Sequence, residues 1–244
     1  MSSRLEQQFH SLSLPNHRLS APTIAAILDL TRLDTQATAS DIETLIQKAK
    51  QDQVAAVCVL PEHLEWVPCL TPIQRATVVN FPRSDQLPQQ VLQDIEQAIT
   101  HHNADEIDYV LAYPIYLTSQ KNEALAWCRD AYQLCRHYGR LFKVILETGA
   151  LGSLEIIHRA SCDVMEAGCD MLKTSTGKIA VGATLPAVFA ILKAIQDREQ
   201  GCGIKCSGGI RSVAQASQFI HLAEHVLEKS ADKTWFRIGT SGIQ

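Results

Sequence analysis

The chain has 244 residues, 46% hydrophobic and 20% charged, so it can build one sizeable core, and a disordered chain is excluded. A formal net charge of −4 argues against nucleic acid as the main partner, since phosphate-backbone binding needs a basic face. The longest nearly apolar stretch, Val181 to Leu192, contains Thr184 and Pro186 and is too short for a membrane span.

After a polar N-terminal arm, expected to be helical, a rhythm of apolar runs, turn signals and helical patterns begins. The expected strands are Ile24–Leu30, Val54–Leu60, Ala76–Asn80, Glu106–Ala112, Leu141–Glu147, Asp170–Thr174, Gly203–Cys206 and Trp235–Gly239. Between them fall expected helices at Ser40–Gln51, Glu62–Cys69, Leu87–His101, Gln120–Tyr138, Ser153–Ala167, Leu185–Arg198 and Ser212–Leu227. Ser40 with Glu43 reads as a capping box and Ser212 as an N-cap. Strict alternation predicts an α/β protein with a parallel sheet, and eight strands predict a closed (β/α)8 barrel of the TIM type. An open doubly wound sheet is the alternative, but no GxGxxG follows the first strand. No linker or low-complexity tract divides the chain, so residues 1–244 read as one domain. Only Thr240 to Gln244 follow the last strand, where a full barrel would place a helix; either the chain is truncated there, or the N-terminal arm or a partner subunit covers that face, and a homodimer is one expectation.

Eight cysteines invite a disulfide or metal reading, but no CxxC pair occurs and Met1-Ser2-Ser3-Arg4-Leu5 does not resemble a signal peptide. Reduced buried thiols in a cytoplasmic protein are expected.

Barrel enzymes work at the C-terminal ends of their strands. Those ends carry Asp29 and Thr31, Cys58, Asn80, Glu106 and Asp108, Lys143 and Glu147, Lys173 and Thr174, Lys205 and Ser207, and Ser241. Many of the charges sit inside apolar runs, where an unpaired charge is expensive. A buried salt-bridge network that fixes register is one reading. Convergence of Lys173, Lys205 and Asp108 on one small space is the other. Two nearby lysines disfavour each other's protonation, so one becomes a competent amine nucleophile and the other stays an ammonium. Asp108 can accept a proton directly or through water. That trio suffices for imine chemistry with no cofactor and no metal. The nine histidines are scattered, and His221 with His225 reads as a surface or packing pair. Glycine-rich strand ends at Thr176-Gly177-Lys178, Gly208-Gly209 and Gly239-Thr240-Ser241-Gly242 suit backbone contact with a phosphate, with Lys178 and Arg211 as sources of charge.

The segments Asp29-Leu30-Thr31, Ala76 to Pro82, Ala104 to Asp108, Phe142 to Gly149, Leu172-Lys173-Thr174-Ser175-Thr176-Gly177-Lys178 and Gly203 to Arg211 together resemble the deoxyribose-phosphate aldolases, in the order of that family and over residues 24–242. The resemblance implies that Lys173 forms the Schiff base, that Lys205 is the second active-site lysine and that Asp108 is the acid/base group. It implies that Asp29, Thr31 and Cys58 line the aldehyde pocket, that Gly177, Lys178, Gly208, Gly209 and Ser241 cradle phosphate, and that Lys143 and Thr176 join the substrate site. The implied reaction is reversible cleavage of 2-deoxy-D-ribose 5-phosphate to acetaldehyde and D-glyceraldehyde 3-phosphate. A related imine-forming lyase and a non-catalytic sugar-phosphate binder are the rival readings. Cys206, beside the second lysine, departs from the family pattern and raises the question of redox sensitivity.

Overall fold

A computed structural model describes residues 3–199 and 201–243; the extremes of the 1–244 span lie outside them. The chain runs α1 (Arg4–His10), α2 (Ala21–Ala25), β1 (Leu28–Arg32), α3 (Ala39–Asp52), β2 (Ala56–Val59), a 3-10 turn (Pro61–Trp66), β3 (Gln74–Val79), α4 (Pro88–Thr100) and β4 (Glu106–Val110). It continues through α5 (Tyr113–Tyr116), α6 (Lys121–His137), β5 (Leu141–Ile145), a second 3-10 turn (Thr148–Ala150), α7 (Leu154–Ala167), β6 (Met171–Lys173), α8 (Leu185–Arg198), β7 (Gly203–Ser207), α9 (Val213–Leu227) and β8 (Phe236–Thr240). The eight strands form a closed barrel in sequence order, every pairing parallel, with β8 returning to β1. The fold is a (β/α)8 TIM barrel, not the open sheet.

The strands alternate between two environments, as a period of two requires. Leu28, Leu30, Phe142, Val144, Leu172, Ile204 and Ile238 are buried in the large core between strands and helices. Ala56, Cys58, Ala76 and Val78 form a separate small cluster within the barrel. The charged residues occupy the positions between the outward apolar ones. Arg237 on β8 bonds Glu106 on β4, a reach possible only across the barrel interior.

Several boundaries differ from those expected. The first strand begins at Leu28 rather than Ile24, because Ser20 caps a short helix with Pro22 in its first turn. The capping box of α3 is Thr38 with Asp41, not Ser40 with Glu43. The helix expected at Glu62–Cys69 is a 3-10 turn of six residues, since Pro61 and Pro68 leave too short a stretch between them. Ser212 does cap α9, through a capping box with Gln215.

The N-terminal arm is helical at α1, but α1 packs on α8 and α7, with Phe9 and Phe189 ring centroids 5.7 Å apart. α1 does not lie on the face beyond β8, but the end of the arm does border it, through Ala21 and Pro22 of α2. That face carries a cleft of about 460 Å³ flanked by Ala25, Leu28, Leu30, Val213 and Ile243. His221 is buried and its Nε2 meets the His17 carbonyl at 3.0 Å, whereas His225 is exposed. The histidine pair therefore serves packing and surface. Among the described residues, no helix is long and apolar enough to cross a membrane.

Candidate active site

β4 to β8 and β1 deliver charged side chains into the barrel because most of these residues sit between apolar neighbours that face the helices. Ile107 and Tyr109 flank Asp108, Phe142 and Val144 flank Lys143, Ile204 and Cys206 flank Lys205, and Phe236 and Ile238 flank Arg237, all buried. The alternation that gives each strand its apolar outer face thus forces the charges inward.

There the charges form a ring. Arg237 donates to Asp29 Oδ1 at 2.7 Å, and Asp29 Oδ2 lies 2.6 Å from Lys205 Nζ. Lys205 donates to Asp108 Oδ2 at 2.7 Å, and Asp108 Oδ1 accepts from Lys143 at 2.8 Å. Lys143 donates to Glu106 Oε2 at 2.6 Å, and Glu106 Oε1 accepts from Arg237 at 3.1 Å, which closes the circuit. Three cations and three carboxylates alternate, each carboxylate bridging two cations. Lys173 stands outside the circuit and attaches only through its own bond to Asp108 Oδ2 at 2.7 Å.

The titration of these groups follows from the arrangement. Burial pulls Lys173 below the ordinary lysine value, Lys205 adds to this, and Asp108 opposes it without prevailing. Burial, rather than the neighbouring ammonium, is the larger cause. Burial also works against the charge on Lys205, but Asp108 and Asp29 hold its value above the ordinary one. Lys143 is likewise raised by Asp108 and Glu106 against burial. Asp108 is buried, yet Lys143, Lys173 and Lys205 hold it well below the usual carboxylate range. Asp29 is lowered in the same way by Lys205, Arg237 and Lys143.

Above Lys173 opens a pocket of about 430 Å³, lined among others by Thr31, Thr176, Ser207, Arg211 and Ser241. Gly177, Lys178, Gly208 and Gly209 also line it, so the structure brings the glycine-rich strand ends together beside Lys173. Gly208 has φ +95°, and a Cβ on Gly182 would lie 2.4 Å from the Gly208 carbonyl oxygen. Both positions therefore demand glycine, and Ala183 N–H donates to that same carbonyl at 2.9 Å. This contact seats the loop after β6 against the loop after β7. Thr176 donates its hydroxyl to Glu147, whose carboxyl is raised mainly by burial. Lys178 Nζ donates to the Leu33 carbonyl at 2.7 Å. Leu33 and Lys178 also border a second cleft of about 600 Å³ over β2 and β3, next to Leu60, Phe81 and Pro82.

Not every expected site residue faces this pocket. Asp29, Cys58, Asp108, Lys143 and Lys205 are fully buried and are absent from its lining; Asp108 and Lys205 reach it only through Lys173, which lines the pocket. Asp29 and Lys143 belong to the ring below. Cys58 is close enough to Lys173 and Lys205 to feel both charges, but burial raises its thiol pKa. Cys206 faces the outer core rather than Lys205's side of the strand, and burial alone pushes its thiol up. That removes the redox question raised for it. The sequence reading missed Arg237. Its signal was the same as that of Lys205, a lone charge between two apolar strand residues, but the eighth strand was read only from its glycine-rich end.

The family model for DeoC/LacD family aldolases matches residues 23–241. A deoxyribose-phosphate aldolase of Agrobacterium fabrum (strain C58) is 36% identical over 240 residues, which is 96% of this chain and 92% of that protein. The deoxyribose phosphate aldolase of Aeropyrum pernix, described as a unique tetramer, superposes with a TM-score of 0.76 at 26% identity, covering 99% of this chain and 94% of that one. A structure from Toxoplasma gondii ME49 superposes with a TM-score of 0.81 over 91% of this chain and 89% of that one; at 22% identity it bears on the fold alone.

Proposed function

The chain belongs to the DeoC/LacD family of aldolases, and we propose that it reversibly cleaves 2-deoxy-D-ribose 5-phosphate to acetaldehyde and D-glyceraldehyde 3-phosphate through an imine on Lys173. The observation that carries this reading is the Lys173 amine itself. It is buried beneath a glycine-walled pocket, titrates below an ordinary lysine, and stands outside a ring of otherwise matched charges.

Lys173 Nζ attacks C1 of the open-chain aldehyde, and the carbinolamine loses water to give the iminium. The C3 hydroxyl then loses its proton, the C2–C3 bond breaks, and its electron pair flows to the iminium nitrogen as an enamine. D-Glyceraldehyde 3-phosphate departs. Protonation of the enamine at C2 and hydrolysis of the imine release acetaldehyde and restore the amine. The Lys205 ammonium supplies a hydrogen bond to the departing carbinolamine oxygen. Asp108 is the acceptor in the proton relay, and the three amines around it keep it ionised between turnovers. Thr31, Thr176 and Ser207 offer hydroxyls to the sugar. Gly177, Gly208, Gly209 and Ser241 form the phosphate cradle, with Lys178 and Arg211 supplying charge. Asp29, Lys143 and Cys58 support the site from below. One domain, a cytoplasmic location and a homodimer complete the reading; sedimentation velocity measures the last.

The decisive experiment is borohydride reduction in the presence of acetaldehyde, followed by peptide mapping. An adduct on Lys173 is expected; one elsewhere, or none, sinks the mechanism. Cleavage assays then compare 2-deoxyribose 5-phosphate with 2-deoxyribose, and equal efficiency on both would remove the phosphate cradle.

A further inference from the structure

Arg237 and Glu106 lie at the end of the ring away from the pocket. They border an opening of about 390 Å³ at the opposite mouth of the barrel, with Asp105, Arg140 and Lys233. Neither lines the Lys173 pocket. They are nonetheless two of the six members of the alternating circuit, and Arg237 is the cation that satisfies the free oxygens of Asp29 and Glu106 at once.

We propose that Arg237 and Glu106 are positioning residues for the imine chemistry: by closing the ring, they leave Lys173 as the one base in the barrel without a carboxylate of its own. The proposal rests on the imine reading of Lys173. The barrel interior holds the carboxylates Asp29, Glu106 and Asp108 against the bases Lys143, Lys173, Lys205 and Arg237. Three anions are matched by three cations, and a fourth buried cation would stand uncompensated, which a low-dielectric interior disfavours strongly. The remaining titratable groups facing Lys173 lie outside the hydrogen-bonded ring. Cys58 on β2 keeps its proton, since burial raises its thiol. Glu147, after β5, is a buried carboxylate that bonds Thr176; burial raises it and Lys173 lowers it, but among the described residues it makes no ion pair with Lys173 and takes no place in the ring. On β3, Ala76 and Val78 face the interior and the titratable Arg75 pairs with Asp105. The free amine on Lys173 is thus a property of the whole circuit and not of its nearest neighbours alone.

The circuit makes predictions of opposite sign for its two distal members. Arg237→Met removes a cation, so Lys173 must serve as the third and holds its proton to higher pH. Glu106→Gln removes an anion, so Lys173 releases its proton at lower pH. The double variant removes one of each and returns to balance. A residue that merely props up the barrel would lower activity in both single variants without moving the titration.

The measurement is the pH dependence of Lys173 acetylation by acetic anhydride, read by peptide mass, in the full chain. It reports the free amine whether or not an imine forms. In Arg237→Met the midpoint is expected to rise by about one pH unit or more, which lowers the free amine at a fixed pH below it about tenfold. In Glu106→Gln it is expected to fall, and in the double variant to return to the wild-type position. Midpoints that stay put, that move in the same direction, or that fail to return in the double variant overturn the proposal. Should Arg237→Met fail to fold, the acid shift in Glu106→Gln decides alone, and its absence overturns the idea. If the wild-type chain gives no borohydride adduct with acetaldehyde at any pH, the imine reading falls, while the acetylation profiles still judge the circuit.

Discussion

Lys173 and Lys205 are register partners on adjacent parallel strands, and both amines donate to the same oxygen of Asp108 at 2.7 Å. Their surroundings nevertheless separate them. Lys205 reaches Asp29 as well as Asp108, so two carboxylates hold its proton. Lys173 shares only Asp108 and is lowered by burial. Two identical side chains one strand apart thereby differ in how firmly each holds its proton.

The same asymmetry governs stability. Lys205→Met leaves Asp29 and Asp108 each short of a buried partner, and a loss of about 3–5 kcal/mol is expected. Lys173→Met removes a surplus donor from a carboxylate that keeps Lys143 and Lys205, so a cost near 1 kcal/mol is expected. Urea midpoints of the two variants measure the difference, and equal losses would contradict the ring.

Stability should also depend on pH in a way specific to Lys173. Its folded value is depressed, so across the window between that value and the unfolded value, about 10.4, the unfolded chain binds the extra proton. Stability therefore rises with pH across that window, and Lys173→Met should lose this slope. Asp29 and Asp108 act at the acid end. Their folded values lie below the unfolded one, so their contribution is present above about pH 4 and is lost as the pH falls through the folded values. Denaturant titrations at several pH values test both limbs.

The seam between the loops after β6 and β7 can be probed at Gly182. Alanine there would push its Cβ into the Gly208 carbonyl and displace Gly208 from the pocket wall. The expected result is a rise of about tenfold or more in KM for 2-deoxyribose 5-phosphate, a change that corresponds to about 1.4 kcal/mol. Acetaldehyde trapping on Lys173 should proceed at the wild-type rate, because the ring lies below the seam. A loss of trapping would mean that the seam supports the amine rather than the phosphate.

Thiol reactivity should be dominated by Cys69. It is the one exposed cysteine among the described residues, and hydrogen bonding from Thr71 lowers its pKa. Cys58, Cys128 and Cys206 are fully buried and raised, so labelling with iodoacetamide should reach them only on unfolding. Rapid labelling of Cys206 in the native protein would return the redox question that its outward placement removes.

Strand–helix alternation, the three residues Lys173, Lys205 and Asp108, and the glycine-rich strand ends were all legible along the chain. Each is a local signal: an apolar period, a charge inside an apolar run, or a residue type that tolerates positive φ. The start of β1 and the 3-10 turn at Pro61 are not legible in this way, because the cap at Ser20 and the proline spacing override the apolar pattern. What only the tertiary structure decided is which charges meet. Arg237 and Glu106 lie 131 positions apart in the chain and on opposite sides of the barrel, yet their bond closes the ring. Closure of the barrel brings six strands' charges to one axis, and the resulting count of three cations against three carboxylates leaves Lys173 over. A sequence shows that a buried lysine is present; whether it carries a proton depends on every charge that shares its interior.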